Sequence, residues 1–165
     1  MEIDLGSAIV GAGTIVICAV PVIMMNRSIK KREKKFLQSL SEIATRNNCR
    51  INRHEIFGSF AIGIDESKNF VFFSRRTKDK EIDHTVNLGE IQKCQVINTS
   101  RTIKNKDVNQ KVIDRLELSF SPFAKNKPEF KLEFFNADDS ARLHGELQSI
   151  EKWSKLINDR LNPSC

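Results

Sequence analysis

No two cysteines in this sequence are spaced to share a metal or form a redox motif: Cys18, Cys49, Cys94 and Cys165 each stand alone. Without CxxC spacing, neither a zinc site nor a dense disulfide framework is expected, and isolated thiols suit a reducing compartment. Histidine is scarce too, with three in 165 residues. Cys49 and His54 are near neighbours, but His84 and His144 are remote, so no metal is expected. A nucleophile needs an oriented base beside it, and no GxSxG or equivalent elbow occurs. Gly11-Ala12-Gly13 lacks the third glycine of a dinucleotide turn. We therefore expect no catalytic residue, no cofactor and no enzymatic activity. Glycine and proline are few, at 7 and 4 residues, against 39% hydrophobic and 29% charged. That composition belongs to a folded domain and is too apolar for disorder.

Charge is missing altogether from residues 5–25, LGSAIVGAGTIVICAVPVIMM. As a helix this stretch spans ~32 Å, the thickness of a bilayer's hydrocarbon core. We expect one transmembrane helix running from Leu5 through Gly11, Val16 and Pro21 to Met25. The residues before it, Glu2 and Asp4, are acidic, and the basic cluster follows it: Arg27, Lys30, Lys31, Arg32, Lys34 and Lys35. A cleavable signal has the opposite order. Juxtamembrane lysine and arginine stay on the cytoplasmic side, so the N-terminus is expected outside and the rest of the chain in the cytoplasm. Ser7, Gly11, Thr14 and Cys18 recur at helical spacing, a stripe of small residues that would let a second helix approach closely. The plainer explanation is that membrane helices are rich in small residues anyway.

The net charge of +6 is concentrated where the span ends, since residues 26–35 carry +5. Residues 26–48 read as a basic juxtamembrane amphipathic segment, with Phe36, Leu37, Leu40, Ile43 and Ala44 recurring at three and four residues over a helix at 30–47. From Cys49 the period changes to two. Strands are predicted around Ile51–Phe57, Phe60–Ile64, Phe70–Phe73, Val86–Leu88, Cys94–Thr99, Leu116–Phe120 and Phe130–Phe135. None is separated from the next by a helix, so the sheet should be antiparallel and the fold class α+β. Asn136 followed by Ala137-Asp138-Asp139 predicts a helix start, and Leu143, Leu147, Ile150, Trp153, Ile157 and Leu161 form its apolar stripe up to Asn162-Pro163. Residues 49–161 would thus form one domain, with 162–165 as a tail.

Seven antiparallel strands closed by a C-terminal amphipathic helix resemble the pleckstrin-homology-like (PH-like) superfold, including membrane-tethered bacterial members of unknown role. The resemblance covers about residues 49–161. It implies a roll or barrel in which a helix tryptophan packs onto the strands, and Trp153, the only tryptophan, is the expected core anchor. Members that bind phosphoinositides do so through basic residues around the first strand turn. Here that turn is Phe57-Gly58-Ser59, with Arg53 and His54 the nearest basic residues. The helix at 30–47 also permits an NTF2-like α+β roll.

Two further basic segments are candidate anionic contacts: Arg75, Arg76, Lys78 and Lys80, and Arg101, Lys104, Lys106 and Lys111. With Asp79, Glu81 and Asp107 interspersed, solvated hairpin tips are the favoured reading of both. The Phe72-Phe73-Ser74-Arg75-Arg76 run has the aromatic and basic content of an RNA-binding sheet, but tethering to a membrane disfavours nucleic acid. The expected role is a single-pass cell-membrane protein acting as a non-catalytic interaction or scaffold module, an accessory subunit that binds a membrane or membrane-associated protein partner. Peripheral binding of anionic lipid headgroups by the basic loops, or an unrecognised enzyme, are the alternatives.

Overall fold

The computed structural model describes residues 30–77, 80–105, 108–124, 126–140 and 142–162. The expected span (Leu5, Ser7, Gly11, Thr14, Val16, Cys18, Pro21, Met25), together with Arg27, Lys78 and Lys106, lies outside them. Among the described residues no helix is long and apolar enough to cross a membrane.

The chain is α+β. Helix α1 occupies 30–46. It ends where Asn48 turns to φ 55°, a left-handed conformation that asparagine tolerates, and the Cys49 N–H closes on the Ala44 carbonyl at 2.8 Å. Strands β1 (Arg53–Ile56), β2 (Phe60–Asp65), β3 (Phe70–Arg76) and β4 (Glu81–Asn87) form one antiparallel sheet in sequence order. A 3-10 turn at Leu88–Glu90 leads to the second sheet, β5 (Ile91–Asn105), β6 (Val108–Pro122) and β7 (Phe130–Asn136), also in order. Helix α2 (Glu146–Leu161) packs on the strands.

Strand β2 is buried at every position and β3 at all but its ends, because both faces of the first sheet are covered. Phe60, Ile62, Ile64, Val71 and Phe73 face the second sheet and α2. Ala61 and Phe72 face α1, meeting Phe36, Leu40, Ile43 and Ala44. Two-sided burial explains the unbroken apolar run Phe70-Val71-Phe72-Phe73 in an antiparallel strand, where one-sided burial would alternate. Between the sheets, the ring of Phe60 lies 4.6 Å from that of Phe134 and 5.5 Å from that of Phe73. Gly63 is needed for closeness: a Cβ there would meet Ile51 at 3.0 Å.

Trp153 is buried in the core, and its indole N–H donates to the Glu55 carboxylate at 2.7 Å. That carboxylate also accepts from Ser149 and Lys152, so β1 and α2 are pegged by a satisfied polar cluster. At the other end of α2, Asn158 bonds the Cys94 backbone and Arg160 bonds Glu66.

Three sequence expectations are corrected. Helix α2 begins at Glu146, nine residues later than expected. The Asn136 side chain accepts from the Asp138 N–H, and the Asn136 carbonyl accepts from Asp139 and Ser140. That local turn competes with a helix cap. Asp139 is then held by Arg75, and Gly145 at φ 106° re-aims the chain. Strands β5 and β6 are 15 residues each, and the second basic segment is their outer half, paired strand instead of loop. Arg75 is not at a hairpin tip: it belongs to β3 and its side chain is 4% exposed.

Candidate functional site

Two residues of β3 set up the site through the two-residue period of the strand. Arg75 shares its face with Val71 and Phe73 and turns inward. Its guanidinium donates to the Glu133 carbonyl and pairs with the carboxylates of Glu133 at 2.6 Å and Asp139 at 2.8 Å. It is committed to structure. Arg76 shares its face with Phe72 and turns toward α1, where it stacks 5.3 Å from the centroid of Phe36 and pairs with Glu81 at 2.5 Å.

Helix α1 brings the rest. Lys31 and Lys35, and likewise Arg32 and Phe36, stand one turn apart and so lie on adjoining rows of the helix. Phe36 is buried, which fixes the helix rotation and leaves the cations at the rim. Together with Gly58 of the β1–β2 turn and Arg76 and Thr77 at the end of β3, they enclose a cleft of about 530 Å³. None of its lining side chains is acidic. It adjoins a smaller recess of about 130 Å³, lined by Phe36, Ile56 and Phe57 with Arg32 and Glu33. The cleft thus has a cationic mouth beside an apolar recess.

The remaining candidates fall around this cleft. Lys30 and Lys34 are exposed on α1. Arg101 is exposed and pairs with Asp114 at 3.0 Å. Lys80 and Lys111 are exposed, and the backbone of Lys104 lies in β5. Glu133 joins Arg75 to Arg115 of β6, the neighbour of the Asp114 that pairs with Arg101. Spacing within α1 was legible in sequence, but the meeting of Phe36 with Arg76 was not, because the two stand 40 positions apart and no periodic signal spans that distance.

The two described thiols, Cys49 and Cys94, are both buried. Burial pushes the Cys94 thiol up to about 12, and burial together with the nearby Asp65 charge raises that of Cys49. Both stay protonated at neutral pH, and the thiolate is the reactive form. No group of three His, Cys, Asp or Glu side chains converges to hold a metal ion among the described residues.

No family model, curated protein or solved structure matches this chain.

Proposed function

We propose that this protein is a membrane-anchored, non-catalytic interaction module. Residues 5–25 hold it in the bilayer, α1 sets its cytoplasmic domain against anionic headgroups, and the domain is presented to a membrane-associated protein partner. The two-sheet arrangement closed by α2 supports the PH-like reading of the fold, which by itself carries no function.

The carrying observation is the docking of α1. Phe36, Leu40, Ile43 and Ala44 are buried against the first sheet, so the helix that follows the span is part of the domain body. From Met25 to Lys30 the chain reaches at most ~18 Å when extended. The cleft of Lys31, Arg32, Lys35 and Arg76 is therefore held within the headgroup layer or just beneath it. A basic residue near an anionic surface contributes ~1 kcal/mol. The cleft supplies a few kcal/mol in total, enough to orient the domain but far less than the span provides for anchoring. This assigns the lipid contact to orientation and leaves the surface away from the bilayer for a protein.

The full-length chain should stay in the membrane fraction after carbonate washing. Cys165 should react with an impermeant maleimide only after the cells are opened, with Cys49 and Cys94 shielded by burial. Release by carbonate, or labelling of Cys165 in intact cells, overturns the reading.

A further inference from the structure

Each sheet has two outer strands, and among the described residues three of these four are tied to another element. On β5 the Asn158 side chain of α2 bonds both the N–H and the C=O of Cys94. On β7 the Glu133 carbonyl accepts from Arg75. Strand β1 is only four residues long, and its Glu55 is held against α2 by Ser149 and Trp153. The fourth outer strand, β4, pairs with β3 alone, along seven residues and without a bulge.

The parity of its hydrogen bonds shows what β4 presents. The Thr77 N–H bonds the Lys80 carbonyl at one end of the β3–β4 ladder, and the Leu88 N–H bonds the Asn69 carbonyl at the other. Bonded and non-bonded pairs alternate in an antiparallel ladder, so Ile82, His84 and Val86 direct their backbone groups to β3. Glu81, Asp83, Thr85 and Asn87 turn theirs to the open edge, where among the described residues no backbone group of another element bonds them. Proline, a bulge or lysine commonly guards such an edge, and β4 has none of these between Glu81 and Asn87.

Two faces flank the edge. On one, Val86 is buried and His84 half-buried, while Ile82 is 39% exposed, one of the large hydrophobic side chains that the fold leaves uncovered. On the other stand Glu81, Asp83, Thr85 and Asn87. Glu81 is paired with Arg76, and Lys80 precedes the strand. Asp83 is exposed and has no ion-pair partner among the described residues, so it sets the charge that an added strand would meet.

The strand begins beside Thr77, at the cleft, and ends at Leu88 on the far side of the sheet. Antiparallel pairing of β4 with β4 of a second copy would therefore turn one copy over relative to the bilayer in which both are anchored. A segment of another membrane protein meets no such conflict. Stretches that flank a span on the cytoplasmic side are rich in lysine and arginine, and Asp83 lies in the half of β4 nearer the cleft.

We infer that the open edge of β4 is where the protein partner adds a strand. That partner is an extended cytoplasmic segment of another membrane protein, with main-chain bonds to Asp83 and Thr85, a lysine or arginine beside Asp83, and an apolar side chain over Ile82. This rests on the anchored, non-catalytic reading above and names the surface on which its partner docks. The plainer alternative is that Glu81 and Asp83 simply keep the edge from pairing.

Amide hydrogen exchange of the full-length chain in phosphatidylcholine nanodiscs separates these, with short synthetic peptides as probes: alternating lysine and valine, the same peptide N-methylated at every peptide nitrogen, and alternating glutamate and valine. At saturation the lysine peptide should slow exchange at Asp83 and Thr85 about tenfold, with Ile62 on the covered strand β2 unchanged. The N-methylated peptide should give no protection. The glutamate peptide should bind about fivefold more weakly, and Asp83→Lys should reverse that preference. Thr85→Pro removes an N–H that β3 does not use, so it should abolish protection at Asp83 while exchange at Ile62 shows the fold intact. No slowing with any peptide, in a chain that carbonate leaves in the bilayer, overturns the edge contact and spares the anchored module. Slowing in a chain that carbonate releases supports the edge contact and overturns the anchor. Protection by the N-methylated peptide as well overturns strand addition, and equal protection by the glutamate peptide overturns the basic partner. Protection that needs no peptide and grows with the number of chains per disc overturns the partner in favour of a second copy.

Discussion

Asp65 and Arg75 are charged side chains buried in the domain, as is Glu146, and most of their hydrogen-bonding capacity is used, the Arg75 Nε alone among their buried polar atoms lacking a partner. The Asp65 carboxylate is 1% exposed and accepts from the Ser67 hydroxyl at 2.6 Å and from the backbone N–H groups of Arg50, Ser67 and Lys68. Those bonds, the Ser67 hydroxyl first and the Arg50 N–H next, hold its carboxyl well below the usual carboxylate range against the opposing effect of burial. A folded value below the unfolded one means stability that is fully present above the unfolded pKa of about 4 and is lost as pH falls below it. Urea melts should therefore show the wild type weakening from about pH 5 downward. Asp65→Asn should cost about 1.5–3 kcal/mol at pH 7 and show a shallower decline in acid. Equal slopes for the two proteins would remove Asp65 from the pH response. The run from Asp65 to Asn69 already read as a turn in sequence, but the carboxylate's reach back to Arg50 is a contact across 15 residues that no local pattern announces. The same holds for Arg75, whose partners lie 58 and 64 residues away.

Elements were legible in proportion to how much of them touches the core. Among the described residues all seven strands and both helices were visible as periodicity, and of the α1 stripe Phe36, Leu37, Leu40, Ile43 and Ala44 all but Leu37, which is exposed, form the buried face. What the stripe meets was not legible. An amphipathic helix after a membrane span fits a bilayer surface as well as a sheet, and the structure seats it on Ala61 and Phe72. Leu40 is fully buried in that contact. Leu40→Ala should cost about 2–5 kcal/mol locally and expose α1 to trypsin after Lys34, Lys35 and Arg46, while the strands and α2 stay protected. Unchanged cleavage would show that α1 does not depend on this seat. The outer halves of β5 and β6 went unread as strand because alternation is strong only where one face is buried. Helix α2 was placed too early because Asn-Ala-Asp-Asp suits a helix cap and an asparagine turn equally. The Asp139–Arg75 pair is consistent with the turn.

At the scale of the molecule, the fold brings the start of α1 and the end of β3 to one end of the domain. Lys31, Arg32 and Lys35, which stand far from Arg76 along the chain, line one cleft with it. Lys31, Arg32 and Lys35 are exposed, so Lys31→Glu, Arg32→Glu and Lys35→Glu together should leave the thermal midpoint within a few degrees. They should also abolish the dependence of Lys34 acylation on phosphatidylserine in nanodiscs. Retention of that dependence would count against the cleft as the orienting contact, because reversing three charges exceeds what Arg76, shared with Glu81, can offset.

Some properties follow from residue order alone, because they depend only on neighbours along the chain. The charge-free stretch at 5–25, the basic cluster behind it, the two periodicities and their switch near Cys49 are of this kind, and they determine the α+β class and the expected anchor. Others depend on which surfaces meet. The burial of Arg75, the double covering of β2 and β3 and the cleft between α1 and Arg76 arise from contacts between residues far apart in sequence. Local periodicity says which face of an element is apolar but not what will cover it, and here that covering assembles the basic cleft.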